Sequence, residues 1–310
     1  MNKKAFIITL DTEEDNQWNP NQLPTTENSK YLPRFQELCE KYGFKPTWLT
    51  TYKMACNPFF VEYFKEKQDK GLCEIGMHLH AWNTPPNYEL NKVTNERSYL
   101  IEYPEDIMEA KIANITELLT KKFGKAPVSH RSGRWATNEV YFKLLSKFGY
   151  KIDCSVTPGV NWQKSLGATG LGGTDYTKFL NNSYYIYDKI LELPLTIEKL
   201  RFVDFNHIHS LKNFLGELYR FCKGRMQWLR PAKNASVKPL IKVLNTISVN
   251  PNRDYAMFMI HSSELMPNGS PSFRTDEDIE KLYICIEELF QNVKNLNFEG
   301  FCLKEYINAN

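Results

Sequence analysis

The segment CEIGMHLHAW, Cys73 to Trp82, sets His78 and His80 two residues apart at the end of an apolar run that reads as a β-strand. Side chains i and i+2 of a strand share a face, so the two imidazoles project together if the strand persists that far. Neutral imidazole is the commonest side-chain metal ligand, but two of them need a third donor, a carboxylate from elsewhere in the chain. Alone, the H-x-H spacing also describes two polar residues at a solvated strand end. The other strand-like runs add weight to the metal reading. AFIITLD ends in Asp11, with Glu13, Glu14 and Asp15 just beyond; VSHR ends in Arg131, KIDCSV carries Asp153, and YAMFMIH ends in His261. An isolated charge in a buried strand is costly unless paired, so a convergence of these strand ends would give each charge a partner.

The elements that must position these groups alternate. Strands are expected at 5–11, 46–51, 73–80, 128–131, 151–156, 190–195 and 255–261. Between them lie helices near 31–42, stopped by Gly43; after Asn57 as N-cap with Pro58 at the first position; over 104–122; after Thr137 as N-cap with Gly149 as stop; and over 276–292, opened by DEDIE. Alternating strands and helices imply a parallel sheet, which seven or eight units can close into a barrel, and the carboxyl-end rim of such a barrel gathers catalytic groups. One α/β domain spanning 1–310 is therefore expected. Residues 206–248 interrupt the rhythm with two amphipathic helices, read as an insertion.

Composition sets the limits. A chain of 310 residues with 42% hydrophobic content fills a sizeable core. The run AFIITL is too short for a signal peptide, and no window approaches the roughly 18 apolar residues of a membrane span. Seven cysteines without a C-x-x-C pair read as reduced thiols of a cytosolic protein. A net charge of +3 argues against general nucleic-acid binding, yet residues 201–253 carry ten Lys/Arg against two acids. That basic segment suits either a phosphate-bearing partner, nucleotide-linked or lipid-linked at a membrane face, or the solvated faces of packing helices.

In order, the motifs resemble those of the polysaccharide deacetylases of the NodB-like superfamily, carbohydrate esterase family 4. TLDTEED is similar to the family's first motif, EIGMHLH to its second, HRSGRW to its Arg motif, DCS to its Asp motif and MIHSSEL to its terminal His motif. The wording HLHAWNTPP with HRSGRW and HSSELMPNG resembles a subgroup from bacterial O-antigen and capsule gene clusters. The resemblance implies a distorted (β/α)7-type barrel and an N-deacetylase of a surface-polysaccharide sugar. It implies Asp11 as general base, His261 as general acid, and Arg131 orienting Asp11 with Asp153 fixing Arg131 in turn. The metal ligands would be His78, His80 and an acid. Glu13 is the choice if the first strand continues, Asp15 if the chain turns, with Glu14 also available. Ligand type favours Zn²⁺, with Co²⁺, Ni²⁺ or Mn²⁺ as alternatives.

Two departures stand out. The second motif has H-x-H where the family has H-x-x-x-H, and Trp82 occupies the usual second His position. The altered motif leaves open a metal-free carbohydrate-binding or scaffold protein on the same fold, and an enzyme for a non-sugar amide is a nearer rival. Trp82, Arg134 and Trp135 are candidate substrate-binding residues, although Arg134 and Trp135 could equally cap the barrel. His207 and His209 repeat the H-x-H spacing and are read as surface residues.

Overall fold

A computed structural model of the chain describes residues 3–17, 22–201, 208–233 and 235–309. Its strands are β1 (Ala5–Thr12), β2 (Thr47–Thr50), β3 (Glu74–Leu79), β4 (Ser129–Ser132), β5 (Ile152–Asp153) and β6 (Tyr184–Tyr187), then β7 (Ile190–Glu192), β8 (Ile197–Leu200), β9 (Arg225–Trp228), β10 (Tyr255–His261) and β11 (Glu299–Phe301). The helices are α1 (Leu32–Lys41), α2 (Pro58–Asp69), α3 (Glu105–Phe123), α4 (Glu139–Lys147), α5 (Leu211–Lys223), α6 (Lys238–Val249), α7 (Asp276–Asn295) and α8 (Leu303–Ala309).

Seven parallel strands run in the order β10-β1-β2-β3-β4-β5-β7, with β6 antiparallel at one edge and β11 parallel beside β1. The sheet curls with its helices into a distorted, incompletely closed (β/α) barrel. Across the opening, Tyr255 Oη donates to Pro194 O at 2.6 Å, and Met257 N donates to Thr196 Oγ1 at 2.8 Å. The seven expected strands are these seven parallel strands; β1 and β10, buried on both faces, read as near-continuous apolar runs, whereas β4 (SHRS) is buried but polar.

Strand alternation explains why the interior changes character along its length. Phe6, Ile8 and Leu10 of β1 pack in the large cluster with the helices, whereas Ala5 and Ile7 join Met257 and Met259 of β10 in a second cluster. Thr9 and Asp11 continue that second face, so the interior is apolar at the amino end and polar at the carboxyl end. The same parity sends His78 and Arg131 inward.

Two local expectations change. The N-cap of α4 is Asn138, whose side chain accepts from Tyr141 N; Thr137, expected there, shares its hydroxyl with Tyr176 Oη at 2.8 Å instead. The 206–248 segment contains both expected helices, but β9 lies between them and pairs antiparallel with β8. Of these helices, α6 buries Leu240, Val243, Leu244 and Ile247 in the main core. All seven cysteines are free thiols, and among the described residues no helix is long and apolar enough to cross a membrane.

Candidate active site

Beyond β1 the chain does not continue as a strand. It turns at once, with Glu13 N donating to Asp11 O at 3.1 Å. Ser262 Oγ accepts from Glu13 N at 2.9 Å and donates to Glu13 O at 2.8 Å, while Asn28 Nδ2 donates to the same carbonyl at 2.8 Å. This clamp aims the Glu13 side chain at the histidines despite the turn. The other two acids are used elsewhere. Glu14 accepts from Thr51 Oγ1 and Asn83 Nδ2, and Asp15 accepts from Thr25 and from Asn28 N.

His78 and His80 face the same carboxylate oxygen: their Nε2 atoms lie 3.9 and 3.1 Å from Glu13 Oε2. His78 Nδ1 lies 2.9 Å from Arg131 O, which can only accept, so Nδ1 carries the proton and Nε2 presents its lone pair. Burial pulls both imidazole pKa values down to about 4, which keeps them neutral at pH 7. Burial also raises the Glu13 pKa, and Glu13 Oε1 is buried without a hydrogen-bond partner. One donor atom from each residue falls within 4.8 Å of the other two, the one such group of three among the described residues. Three buried N/O donors, two of them neutral imidazoles and one of these, His78, held in the tautomer that presents Nε2, fit a divalent cation with an open coordination position. Gly133 permits the close fit behind them. A Cβ there would sit 2.5 Å from Leu79 O and 2.9 Å from His80 Cδ2.

Asp11 lies beside this group. Arg131, wholly buried, donates from Nη1 to Asp11 Oδ1 at 2.6 Å, from Nη2 to Thr9 Oγ1 at 2.8 Å and from Nε to Cys154 O at 3.0 Å. Burial would raise the Asp11 pKa, but Arg131, His78 and His261 outweigh it and hold the carboxyl well below the usual carboxylate range. Its second oxygen, Oδ2, stands 3.7 Å from His261 Nε2.

The expectation that Asp153 fixes Arg131 is not met. In register, His130 of β4 sits opposite Asp153 of β5, so those two side chains share the outer face while Arg131 points inward. Asp153 takes His130 Nδ1 and Ser155, His130 Nε2 meets Tyr141 Oη at 2.8 Å, and Arg131 is anchored by the neighbouring Cys154 carbonyl. Glu192, opposite Asp153 on β7, carries a pKa raised well above normal by burial and by the Asp153 charge.

Glu264 is a partner that sequence reasoning passed over. Its carboxylate accepts from His261 N at 3.0 Å, lies 3.2 Å from His261 Nδ1, and receives Arg230 Nη2 at 2.9 Å on both oxygens. Burial lowers the His261 pKa, but the Glu264 hydrogen bond and the Glu13 charge reverse that and raise it above the ordinary value. The three-residue spacing of His261 and Glu264, a capping-box geometry, was the available signal.

These groups lie in a cavity of about 1170 Å³, lined also by Trp82, Trp135, Trp162 and Trp228. Pockets for drug-sized ligands span roughly 300–1,000 Å³, and this cavity lies above that range. Trp82 stacks on His80 with centroids 4.2 Å apart and lies under the Arg97 guanidinium, 5.0 Å from its ring. Trp135 has a φ of 63° and lies beneath Arg131. Arg134, with a φ of 57°, donates to the carbonyls of Arg97 and Leu166 and stands 4.3 Å over Tyr99. Left-handed backbone at two consecutive non-glycine residues is uncommon and concentrates at functional sites. His209 is exposed, as expected; His207 lies outside the described residues.

No protein family and no curated protein sequence matches the chain. Among solved structures it is similar to a protein assigned as a polysaccharide deacetylase from Mycobacterium smegmatis, with a TM-score of 0.56, 15% identity and 99% and 90% of the two chains covered. It is also similar to PuuE allantoinase (TM-score 0.53, 12% identity, 98% and 89% covered). A 4-alpha-glucanotransferase from Thermococcus litoralis gives a TM-score of 0.59 at 15% identity, but the match covers 100% of this chain and 41% of that one. At such identities the likeness is one of fold, and the fold is the distorted (β/α) barrel of the polysaccharide-deacetylase kind.

Proposed function

We propose that this chain is a metal-dependent amidohydrolase that removes an acetyl group from the amino nitrogen of a sugar, in a surface polysaccharide or its precursor. The observation that carries this reading is the convergence of Glu13, His78 and His80 beside Asp11 and His261 in one cavity. Glu13, His78 and His80 would hold the cation, Zn²⁺ by ligand type, which when bound supplies Lewis acidity toward the acyl carbonyl and lowers the pKa of water. Arg131 occupies Asp11 Oδ1 and keeps the carboxylate ionised, leaving Oδ2 to take the proton of the attacking water. His261, held through Nδ1 by Glu264, which favours its protonated form, delivers a proton from Nε2 to the departing amine. Four tryptophans supply aromatic faces for sugar rings. An anionic group on the sugar, such as phosphate, suits Arg97, Arg134 and Lys233, which line the cavity.

The test is acetate release from N-acetylated oligosaccharides by the purified protein. Activity is expected to vanish on chelation and to return with Zn²⁺, Co²⁺, Ni²⁺ or Mn²⁺. Turnover indifferent to chelation removes the metal from the reading. Hydrolysis of a non-sugar amide is a second reading favoured by one observation, the shared fold with an allantoinase. Comparing kcat/KM for sugar and ureide amides separates the two.

A pH profile tests the acid. Because His261 must be protonated, its raised pKa places the alkaline limb of activity above the pKa of free imidazole, near 6.5. Glu264→Gln removes the acceptor charge and leaves Arg230 facing His261 Nδ1 at 3.3 Å. Both changes disfavour the imidazolium, so the limb is expected to move to lower pH. An unmoved limb would mean that His261 is not the titrating acid.

A further inference from the structure

The apolar face of α5 points the wrong way for a helix of a soluble barrel. At 100° per residue, Leu211, Phe214, Leu215, Leu218, Tyr219 and Phe221 share an arc of roughly 160°. All six are between 40% and 75% exposed. The side of the helix turned toward the protein is polar. Glu217 is fully buried and takes Arg225 Nη2 of β9 at 2.8 and 3.1 Å, with Arg220 on the same carboxylate. An ion pair therefore ties the helix down by its polar side and turns its apolar side out. Contiguous exposed apolar surface of this kind marks an interaction site.

Charge decides what covers it. Lys212 and Lys223 are exposed at one edge of the apolar arc, within a segment, 201–253, that holds ten Lys/Arg and two acids. Pairing two copies through this face would bring two such basic segments together, whereas an anionic bilayer surface complements them. An amphipathic helix with aromatic and leucine side chains on one face and basic residues at its edge is the form that lies in a membrane interface.

We propose that α5 docks this protein on an anionic phospholipid surface. Leu211, Phe214, Leu215 and Leu218 enter the headgroup boundary, and Lys212 and Lys223 meet lipid phosphates. Gly224 alone separates α5 from β9, whose Met226, Gln227 and Trp228 line the catalytic cavity. Docking thus brings one wall of the cavity to the lipid, and on the deacetylase reading above this suits a sugar carried on a lipid.

Co-sedimentation of the full chain with vesicles tests docking independently of any catalytic activity. Vesicles containing about 30% phosphatidylglycerol are expected to bind at least about tenfold more protein than phosphatidylcholine alone, with the difference collapsing in high salt as charges are screened. The triple variant Phe214→Gln, Leu215→Gln, Leu218→Gln, at exposed positions and with a good helix-forming residue, is expected to keep the melting temperature and lose the binding. Lys212→Gln with Lys223→Gln is expected to weaken binding to the anionic vesicles selectively. Equal or absent binding to both vesicle types overturns the proposal, as does binding that the triple variant leaves intact. A concentration-dependent dimer in light scattering that the triple variant dissolves, without vesicle binding, assigns the face to a second copy instead. None of these failures touches the metal site.

Discussion

His78→Ala and His80→Ala are each expected to abolish stoichiometric metal binding, and with it essentially all acetate release. The expectation follows from the number of donors. Among the described residues only Glu13, His78 and His80 form a compact group of ligating side chains, and three protein ligands are what a catalytic zinc site ordinarily uses. Removing one imidazole leaves two donors, and Glu14 and Asp15 cannot replace it because Thr51, Asn83, Thr25 and Asn28 already hold them. The two variants should differ in stability. His78 Nδ1 is bonded to Arg131 O, whereas His80 Nδ1 is buried without a partner, so His80→Ala gives up no hydrogen bond from that nitrogen. A net contribution of about 1 kcal/mol per hydrogen bond makes His78→Ala the less stable of the two. Metal analysis by mass spectrometry and a thermal melt of each variant check both statements. A double alanine variant that keeps one metal per chain would sink the site.

How much of this was legible before the structure depends on the range of each interaction. Most of the seven parallel strands show in the sequence because both faces are buried and apolar residues dominate, as in β1 and β10, whereas β4 (SHRS) is buried but polar and shows only through the preceding Val128 and its place in the alternation. Strands β8 (IEKL) and β9 (RMQW) have no such signature, since they pair only with each other and are partly exposed. The inward direction of His78, Arg131 and His261 follows from strand parity, which sequence does give. Register does not follow from parity alone, and the partner of Asp153 turned on it: His130 and Arg131 are adjacent, and only the β4–β5 pairing shows which of them Asp153 meets. Glu13 reached its place for a reason the sequence hides. The strand it was expected to extend stops at Thr12, and the side chain is aimed by Asn28 and by Ser262, a residue 249 positions away. Amphipathicity of α5 was visible, but its outward apolar face was not, because that depends on where the Glu217 carboxylate finds Arg225.

Asp11→Asn is expected to keep the metal and lose turnover by roughly a hundredfold to ten-thousandfold, the range of general acid–base contributions. The amide is nearly the same size as the carboxylate and can still accept from Arg131 Nη1 through its oxygen, so the buried guanidinium keeps a partner at that atom. What changes is the atom facing His261. The nitrogen cannot accept a proton, and its N–H groups replace the acceptor that stood 3.7 Å from His261 Nε2. Loss of the negative charge also leaves Arg131 buried without its ion-pair partner, which breaks a compensated pair, a change that commonly costs about 3–5 kcal/mol. The melting temperature should therefore fall while the metal content holds, because Asp11 is not among the three converging donors. Since Asp11 is held ionised well below the usual carboxylate range, wild-type activity should fall only at strongly acid pH through this group. Acid protonation of His78 and His80, with pKa values of about 4, is a separate event that metal analysis across pH distinguishes. A variant with full metal, wild-type KM and kcat reduced a hundredfold or more identifies Asp11 as the base. Near-normal kcat would pass that role to another group, and Glu14 is poorly placed to take it, because both its carboxylate oxygens already accept hydrogen bonds from Thr51 and Asn83.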